Sequence, residues 1–139
     1  MKPLSIYIHV PFCRQKCRYC DFYSLESSEY MNAYLKALYQ SIEHHAKNLA
    51  DNYTVQTLYL GGGTPNLLSP AQLEGVLNIV SRHYTFTEHP EITIEINPEF
   101  SSDRKSLKTL SEIGFTRLSI GIQSLNDAEL AILGRIHSR

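Results

Sequence analysis

The sequence predicts an α/β fold built on a parallel, curved sheet, and three observations carry that reading. Strand-like and helix-like segments alternate four times along the 139 residues, the pattern of parallel strands joined by right-handed helical crossovers. The loops with unusual residues all follow strands, which gathers them at the C-terminal edge of the sheet, where such folds build their sites. The strands alternate apolar and polar positions, whereas parallel strands covered on both faces read as continuous apolar runs.

Taken in order, Leu4 to Val10 alternates with period two and reads as a strand that Pro11 ends. Ser28 is the expected N-cap of a long helix whose apolar stripe is Met31, Leu35, Leu38, Ile42 and Leu49, running out before Asp51-Asn52. His44 and His45 on that helix read as surface or rim residues. A second strand, Val55 to Leu60, leads into Gly61-Gly62-Gly63-Thr64-Pro65. Ser69-Pro70-Ala71-Gln72 then starts a helix with a serine cap, proline at the first helical position and glutamine closing a capping box. Leu73, Val76, Leu77 and Val80 follow at helical spacing.

Ile92 to Asn97 is the third strand, stopped by Pro98. A helix from about Asp103 carries Leu107, Leu110 and Ile113 inward and ends at Gly114, the expected left-handed residue. The fourth strand falls within Phe115 to Gln123. Asn126 is expected to cap a short last helix, with Glu129 closing a capping box and Leu125 against Leu130 as a hydrophobic staple.

One face of these strands reads Leu4/Ile6/Ile8/Val10, Leu58/Leu60, Ile92/Ile94/Ile96 and Leu118/Ile120/Ile122. The other reads Ser5/Tyr7/His9, Thr57/Tyr59/Gly61, Thr93/Glu95/Asn97 and Ser119/Gly121/Gln123. A sheet packed by helices on one side and curved around a ligand-holding cavity on the other fits this better than a flat doubly wound sheet. Four strands do not close such a curve, so the chain is expected to be the N-terminal part of a longer protein. The plain alternative is a polar face that meets water.

Composition narrows the function classes. Thirteen Lys and Arg against fourteen Asp and Glu leave a net charge of −1, which gives no electrostatic case for nucleic acid or an anionic membrane. No apolar run reaches the roughly 20 residues of a membrane span. Met1-Lys2-Pro3 leads straight into an alternating segment rather than a signal-peptide core, so a reduced, cytoplasmic protein is expected.

All three cysteines lie in one stretch, Cys13-x3-Cys17-x2-Cys20. Thiolates on a single loop can converge on one inorganic centre, and soft sulfur selects zinc, copper(I) or iron–sulfur clusters. A structural zinc or a fully ligated cluster wants four protein ligands. Three thiolates on a four-iron cluster leave one iron open to a small molecule. The rival is a zinc-stabilised binding module with His9 as fourth ligand. Unrelated buried thiols fit poorly with Arg14, Gln15, Lys16 and Arg18 between them, and an odd count without a leader argues against a disulfide.

On the polar face, Glu95 can accept hydrogen bonds from an ammonium or a ribose hydroxyl, and Gln123 points the same way. A solvated glutamate on an exposed strand is the plain alternative. The glycines let the backbone approach a ligand. Arg14, Lys16 and Arg18 can offset thiolate charge, although a solvated loop needs the same residues.

The cysteine motif, with Tyr19 before its last cysteine, followed by Gly61-Gly62-Gly63-Thr64-Pro65, resembles the radical S-adenosylmethionine (SAM) superfamily. Tyr7 to Cys13, Ile94-Glu95-Ile96-Asn97-Pro98, Ser119 to Ser124 and Leu133-Gly134-Arg135-Ile136-His137 are similar, in order, to one of its branches. That branch holds oxygen-independent coproporphyrinogen III dehydrogenases (oxidases) and HemW-type haem chaperones, and the likeness covers essentially the whole chain.

The resemblance implies that residues 1–139 are the N-terminal portion of a radical SAM core domain, four β/α units of a partial (β/α)6 TIM-like barrel. It implies a [4Fe-4S] cluster on Cys13, Cys17 and Cys20 whose open iron is chelated by S-adenosyl-L-methionine. Tyr7, Gly62, Gly63, Thr64, Glu95, Gln123 and Arg135 would contact SAM. Tyr7, Glu95 and Gln123 share the polar face on independent grounds, while Arg135 rests on the resemblance alone. The dehydrogenases resemble C-x3-C-x2-C-x-C, but Phe22 stands at the fourth cysteine position here, in Cys20-Asp21-Phe22. That form is similar to the haem chaperones, which implies haem or a porphyrin as ligand, with a haem acceptor and an electron donor as partners. Oxidative decarboxylation of coproporphyrinogen III is the alternative.

Overall fold

The computed structural model describes residues 1–101 and 103–139. Its centre is a four-stranded, wholly parallel sheet in the order β1 (Lys2–Val10), β2 (Tyr53–Gly62), β3 (Phe86–Ile96), β4 (Arg117–Ile120). Each strand is joined to the next by helix: α1 (Met31–Leu49), α2 (Pro70–His83), and α3 (Pro98–Ser101) with α4 (Arg104–Ile113). A last helix, α5 (Asp127–Leu133), follows β4. Spatial order equals chain order, so the sheet has no reversal point of the doubly wound kind and instead adds strands in one direction, as a barrel does.

The core lies between the sheet's apolar face and α1, α2 and α4. Ile8, Val10, Val55, Leu58, Leu60, Ile94 and Ile96 meet Leu35, Ile42, Leu73, Val76, Val80 and Leu110 there. The capping box of α2 forms as its sequence requires: Ser69 Oγ accepts from the Gln72 amide while Gln72 Oε1 accepts from the Ser69 amide. The Asp103 carboxylate caps α4, and Gly114 ends it at φ 119°.

Several expectations are corrected. Ser28 does not cap α1; Tyr30 holds that position without a side-chain cap, and only the Ser28 carbonyl serves the helix, accepting from the Met31 amide. Asn126 caps α5, but Ser124 Oγ accepts from the Asn126 amide and itself donates to Glu129, so a hydroxyl stands inside the expected box. Leu125 is 75% exposed while Leu130 is buried, so no staple closes that end. Strand β3 begins at Phe86, six residues earlier than expected. Its pairing with β2 jumps from Val55↔Phe86 to Thr57↔Glu91, which places Pro90, unable to donate to a ladder, inside the irregularity.

The two faces separate as expected along β1 to β3 and less so at β4. Ile120, the last residue of the edge strand β4, and Ile122, beyond its end, are 39% and 45% exposed. On the polar face Thr93 is fully buried, in register between Tyr59 and Arg117, with its hydroxyl on Glu91. Among the described residues no helix is long and apolar enough to cross a membrane.

Candidate functional site

The cysteine loop is pinned on two sides. Val10 and Phe12 carbonyls accept from the Gly63 and Thr64 amides, at 2.8 and 2.7 Å. Phe12 is buried edge-on to Tyr34 and forms an isolated bridge with Leu25, whose amide and carbonyl bond Pro11 and Cys13. At the far end the Arg18 amide donates to the Leu133 carbonyl, the last residue of α5. A loop of such polarity therefore holds one shape without secondary structure, because both neighbouring turns take up its backbone groups.

Beside this loop, at the C-terminal edge of the sheet, lies a cavity of about 620 Å³. All three cysteines line it and all three are free thiols. Gly62, Gly63 and Thr64 form another wall, with Glu95, Gln123 and Arg135 completing it. Nine of the ten sequence-predicted residues thus share one cavity. Tyr7 stands off its wall: its hydroxyl bonds His9 Nδ1 at 3.0 Å and its ring stacks on Tyr59, centroids 6.0 Å apart. Burial, and then the Glu95 carboxylate and Tyr59 nearby, raise the Tyr7 phenol above its ordinary value.

Glu95 is oriented from two directions. Tyr59 Oη donates to Oε1 at 2.7 Å and the Gly62 amide donates to Oε2 at 3.0 Å. Gly62 sits at φ 114°, and a Cβ there would meet the His9 ring at 2.7 Å, so glycine is required on both counts. Gln123 is the non-glycine residue with positive φ among those described, 66°, directly at the cavity.

The positive charge beside the sulfurs comes from an unexpected place. Arg14, Lys16 and Arg18 are exposed, and Arg18 turns its guanidinium to the Ile132 carbonyl. It is Arg135 that reaches in, Nη1 lying 3.3 Å from Cys17 Sγ and Nη2 bonding Asn97 Oδ1 and the Gly121 carbonyl. Its Nε is buried with no partner. Thr64 Oγ1 approaches Cys13 Sγ at 3.7 Å. Two residues that the sequence reading placed but gave no role, Tyr59 and Asn97, hold these groups; their positions on the polar face were the available signal.

His9, the fourth ligand of the zinc alternative, has Nδ1 on Tyr7 and Nε2 on the Tyr23 carbonyl. Among the described residues no three His, Cys, Asp or Glu groups close to the spacing of a single ion. What the cavity offers is three thiols, a guanidinium beside one of them, an oriented carboxylate and a wall of glycine without side chains. That set can grip a soft inorganic centre together with an amino-acid-like ligand.

Comparison with known proteins agrees in kind. The heme chaperone HemW of Mycobacterium tuberculosis is 38% identical over 141 residues, covering 99% of this chain and 36% of that protein. HemW of Escherichia coli is 37% identical over 140 residues, again 99% and 36%. The solved coproporphyrinogen III oxidase (HemN) from Escherichia coli, described as a radical SAM enzyme, superposes with a TM-score of 0.88 at 33% identity, covering 99% of this chain and 32% of that one. The chain therefore spans about a third of the length of the relatives it matches. The Radical SAM superfamily model matches residues 7–139, from the tyrosine of the first strand through the cysteine, glycine and arginine motifs, and the chain belongs to that superfamily.

Proposed function

We propose that residues 1–139 are the N-terminal portion of a radical SAM core domain, and that the whole protein is a cytoplasmic haem chaperone, binding haem and passing it to an acceptor. The observation that carries the choice within the family is Phe22. It stands where the coproporphyrinogen dehydrogenases resemble a fourth cysteine, 62% exposed on the cavity's rim. The curated relatives called heme chaperone support the same choice. The likeness to HemN favours a second reading, oxidative decarboxylation of coproporphyrinogen III.

In this proposal Cys13, Cys17 and Cys20 ligate a [4Fe-4S] cluster, and the donor set fits it: three free thiols face one cavity, with N–H and O–H groups at two of the sulfurs. When bound, the cluster and SAM together supply one-electron chemistry at a sulfonium carbon–sulfur bond. The chain's own residues bind and orient. Arg135 brings its guanidinium to the cavity wall beside Cys17, where its charge suits a ligand carboxylate. Glu95, its geometry fixed by Tyr59 and Gly62, accepts from an ammonium or a ribose hydroxyl. Gly62 and Gly63 let the backbone come close, Thr64 and Gln123 add polar contacts, and Tyr7, on the same face, stacks on Tyr59. An electron donor and a haem acceptor are the implied partners.

The test uses the full-length protein prepared anaerobically. Retained haem without conversion of coproporphyrinogen III supports the chaperone; conversion to protoporphyrinogen IX supports the dehydrogenase. A colourless protein with one zinc ion and no response to dithionite would remove both.

A further inference from the structure

We infer that Asn97 is a positioning residue that aims two hydrogen-bond donors, Thr64 and Arg135, at the sulfurs of Cys13 and Cys17, and that it thereby raises the reduction potential of the centre those sulfurs hold. The inference rests on the cluster proposed above and adds a determinant of its electronic behaviour.

Asn97 follows the last residue of β3, at the cavity wall. Its Oδ1 accepts from Arg135 Nη2 at 3.0 Å, and its Nδ2 lies 3.4 Å from Thr64 Oγ1, toward which it donates. The amide has one workable orientation. Arg135 has only donors, so oxygen must face it and the NH2 must face Thr64. With its oxygen receiving that N–H, the Thr64 hydroxyl is free to turn its own hydrogen to Cys13 Sγ, 3.7 Å away. Arg135, with Nη2 held by Asn97 and the Gly121 carbonyl, presents Nη1 to Cys17 Sγ at 3.3 Å. One side chain thus links donors on two of the three thiols. Thr64 is itself 6% exposed, and burial of its hydroxyl strengthens the bonds it makes.

The consequence follows from charge. Donors at thiolate sulfur place positive charge against the ligand and favour the reduced, more negative state, so they raise the potential. Removing Asn97 loosens both donors at once. Asn97→Asp keeps an oxygen for Arg135, cannot donate to Thr64, and adds a negative charge beside the sulfurs.

The experiment is a redox titration of the full-length protein followed by electron paramagnetic resonance, after anaerobic reconstitution and iron and sulfide analysis. The expected order of midpoint potentials is wild type highest, Asn97→Ala lower, Asn97→Asp lowest, at equal cluster content. Should Asn97→Ala hold no cluster, the near-isosteric Asn97→Asp decides alone. A wild type with a full cluster and variants at its potential overturns this inference and leaves the cofactor reading standing. A wild type without a cluster sinks both.

Discussion

The hydroxyl of Tyr59 donates a 2.7 Å hydrogen bond to Oε1 of Glu95, one strand away on the same face of the sheet. The Gly62 amide takes the other oxygen, so the carboxylate is oriented before any ligand arrives. Preorganisation of this kind lowers the cost of binding. A hydrogen bond to a charged group is worth about 1.5–3 kcal/mol net, or roughly ten- to 150-fold in affinity. Tyr59→Phe is therefore expected to weaken SAM binding within that range while the cluster is retained. Calorimetry on the reconstituted protein checks it, and an unchanged affinity would show that Glu95 needs no brace.

Gly63 and Gly75 make opposite predictions from the same substitution. A Cβ on Gly63 would lie 2.5 Å from the Phe12 carbonyl oxygen and 3.0 Å from Cys13 Sγ. That carbonyl is tied to the Thr64 amide at 2.7 Å and cannot retreat freely. Gly63→Ala is expected to cost about 1–3 kcal/mol, the range for overpacking, and to lower cluster content. A Cβ on Gly75, inside α2, meets only the tip of Tyr39 closely, and a helix interior prefers alanine by up to about 1 kcal/mol. Gly75→Ala should be neutral to stabilising. Chemical denaturation with iron and sulfide analysis reads both.

How far the sequence could be read depended on the range of the interactions involved. The α2 cap was legible because Ser69, Pro70 and Gln72 satisfy one another within a single turn. The cavity was legible because alternation along β3 puts Glu95 on the polar side and a parallel sheet brings strand ends together, whereas Gln123 reaches the cavity from beyond the end of β4, at φ 66°. Ser28 failed as a cap because the turn before α1 is closed by its carbonyl rather than its hydroxyl, a choice that local pattern does not fix. The role of Asn97 was hidden for another reason. Its partners, Thr64 and Arg135, lie 33 and 38 residues away, and only the folded chain juxtaposes them. Arg14, Lys16 and Arg18 were read as able to offset thiolate charge because they interleave the cysteines, whereas Arg135, 118 residues from Cys17, comes beside it only in the folded chain.

The loop that carries the cysteines should loosen in alkali. Burial, and then the neighbouring Tyr7, push the Tyr34 phenol up to about 12 from its ordinary 10.0. Its hydroxyl donates to the His9 carbonyl at 2.7 Å. The folded state thus favours the protonated phenol. That stabilisation is whole below pH 10.0 and is lost as pH rises through about 12. The stability of Tyr34→Phe should fall less steeply over this window than that of the wild type. Denaturation at a series of alkaline pH values measures the difference in slope.

Two helix caps of different chemistry give a last contrast. Ser69 caps α2 with a hydroxyl, and Asp103 caps α4 with a carboxylate that accepts from the Ser106 hydroxyl and from the Lys105 and Ser106 amides. The Ser106 hydroxyl foremost, and then the Lys105 amide, hold the Asp103 carboxyl below its ordinary 3.8. A depressed carboxyl contributes stability above its unfolded value and loses it as pH falls through the folded one. The hydroxyl of Ser69 has no such dependence. Ser69→Ala should cost about 0.5–2 kcal/mol at any pH where the protein folds. Asp103→Ala should destabilise at about pH 7, with the deficit shrinking as the pH falls below 3.8 and the wild-type carboxylate takes up its proton. Urea denaturation of both variants across that range separates the two behaviours, and a constant deficit for Asp103→Ala would mean that the charge of the cap contributes nothing to it.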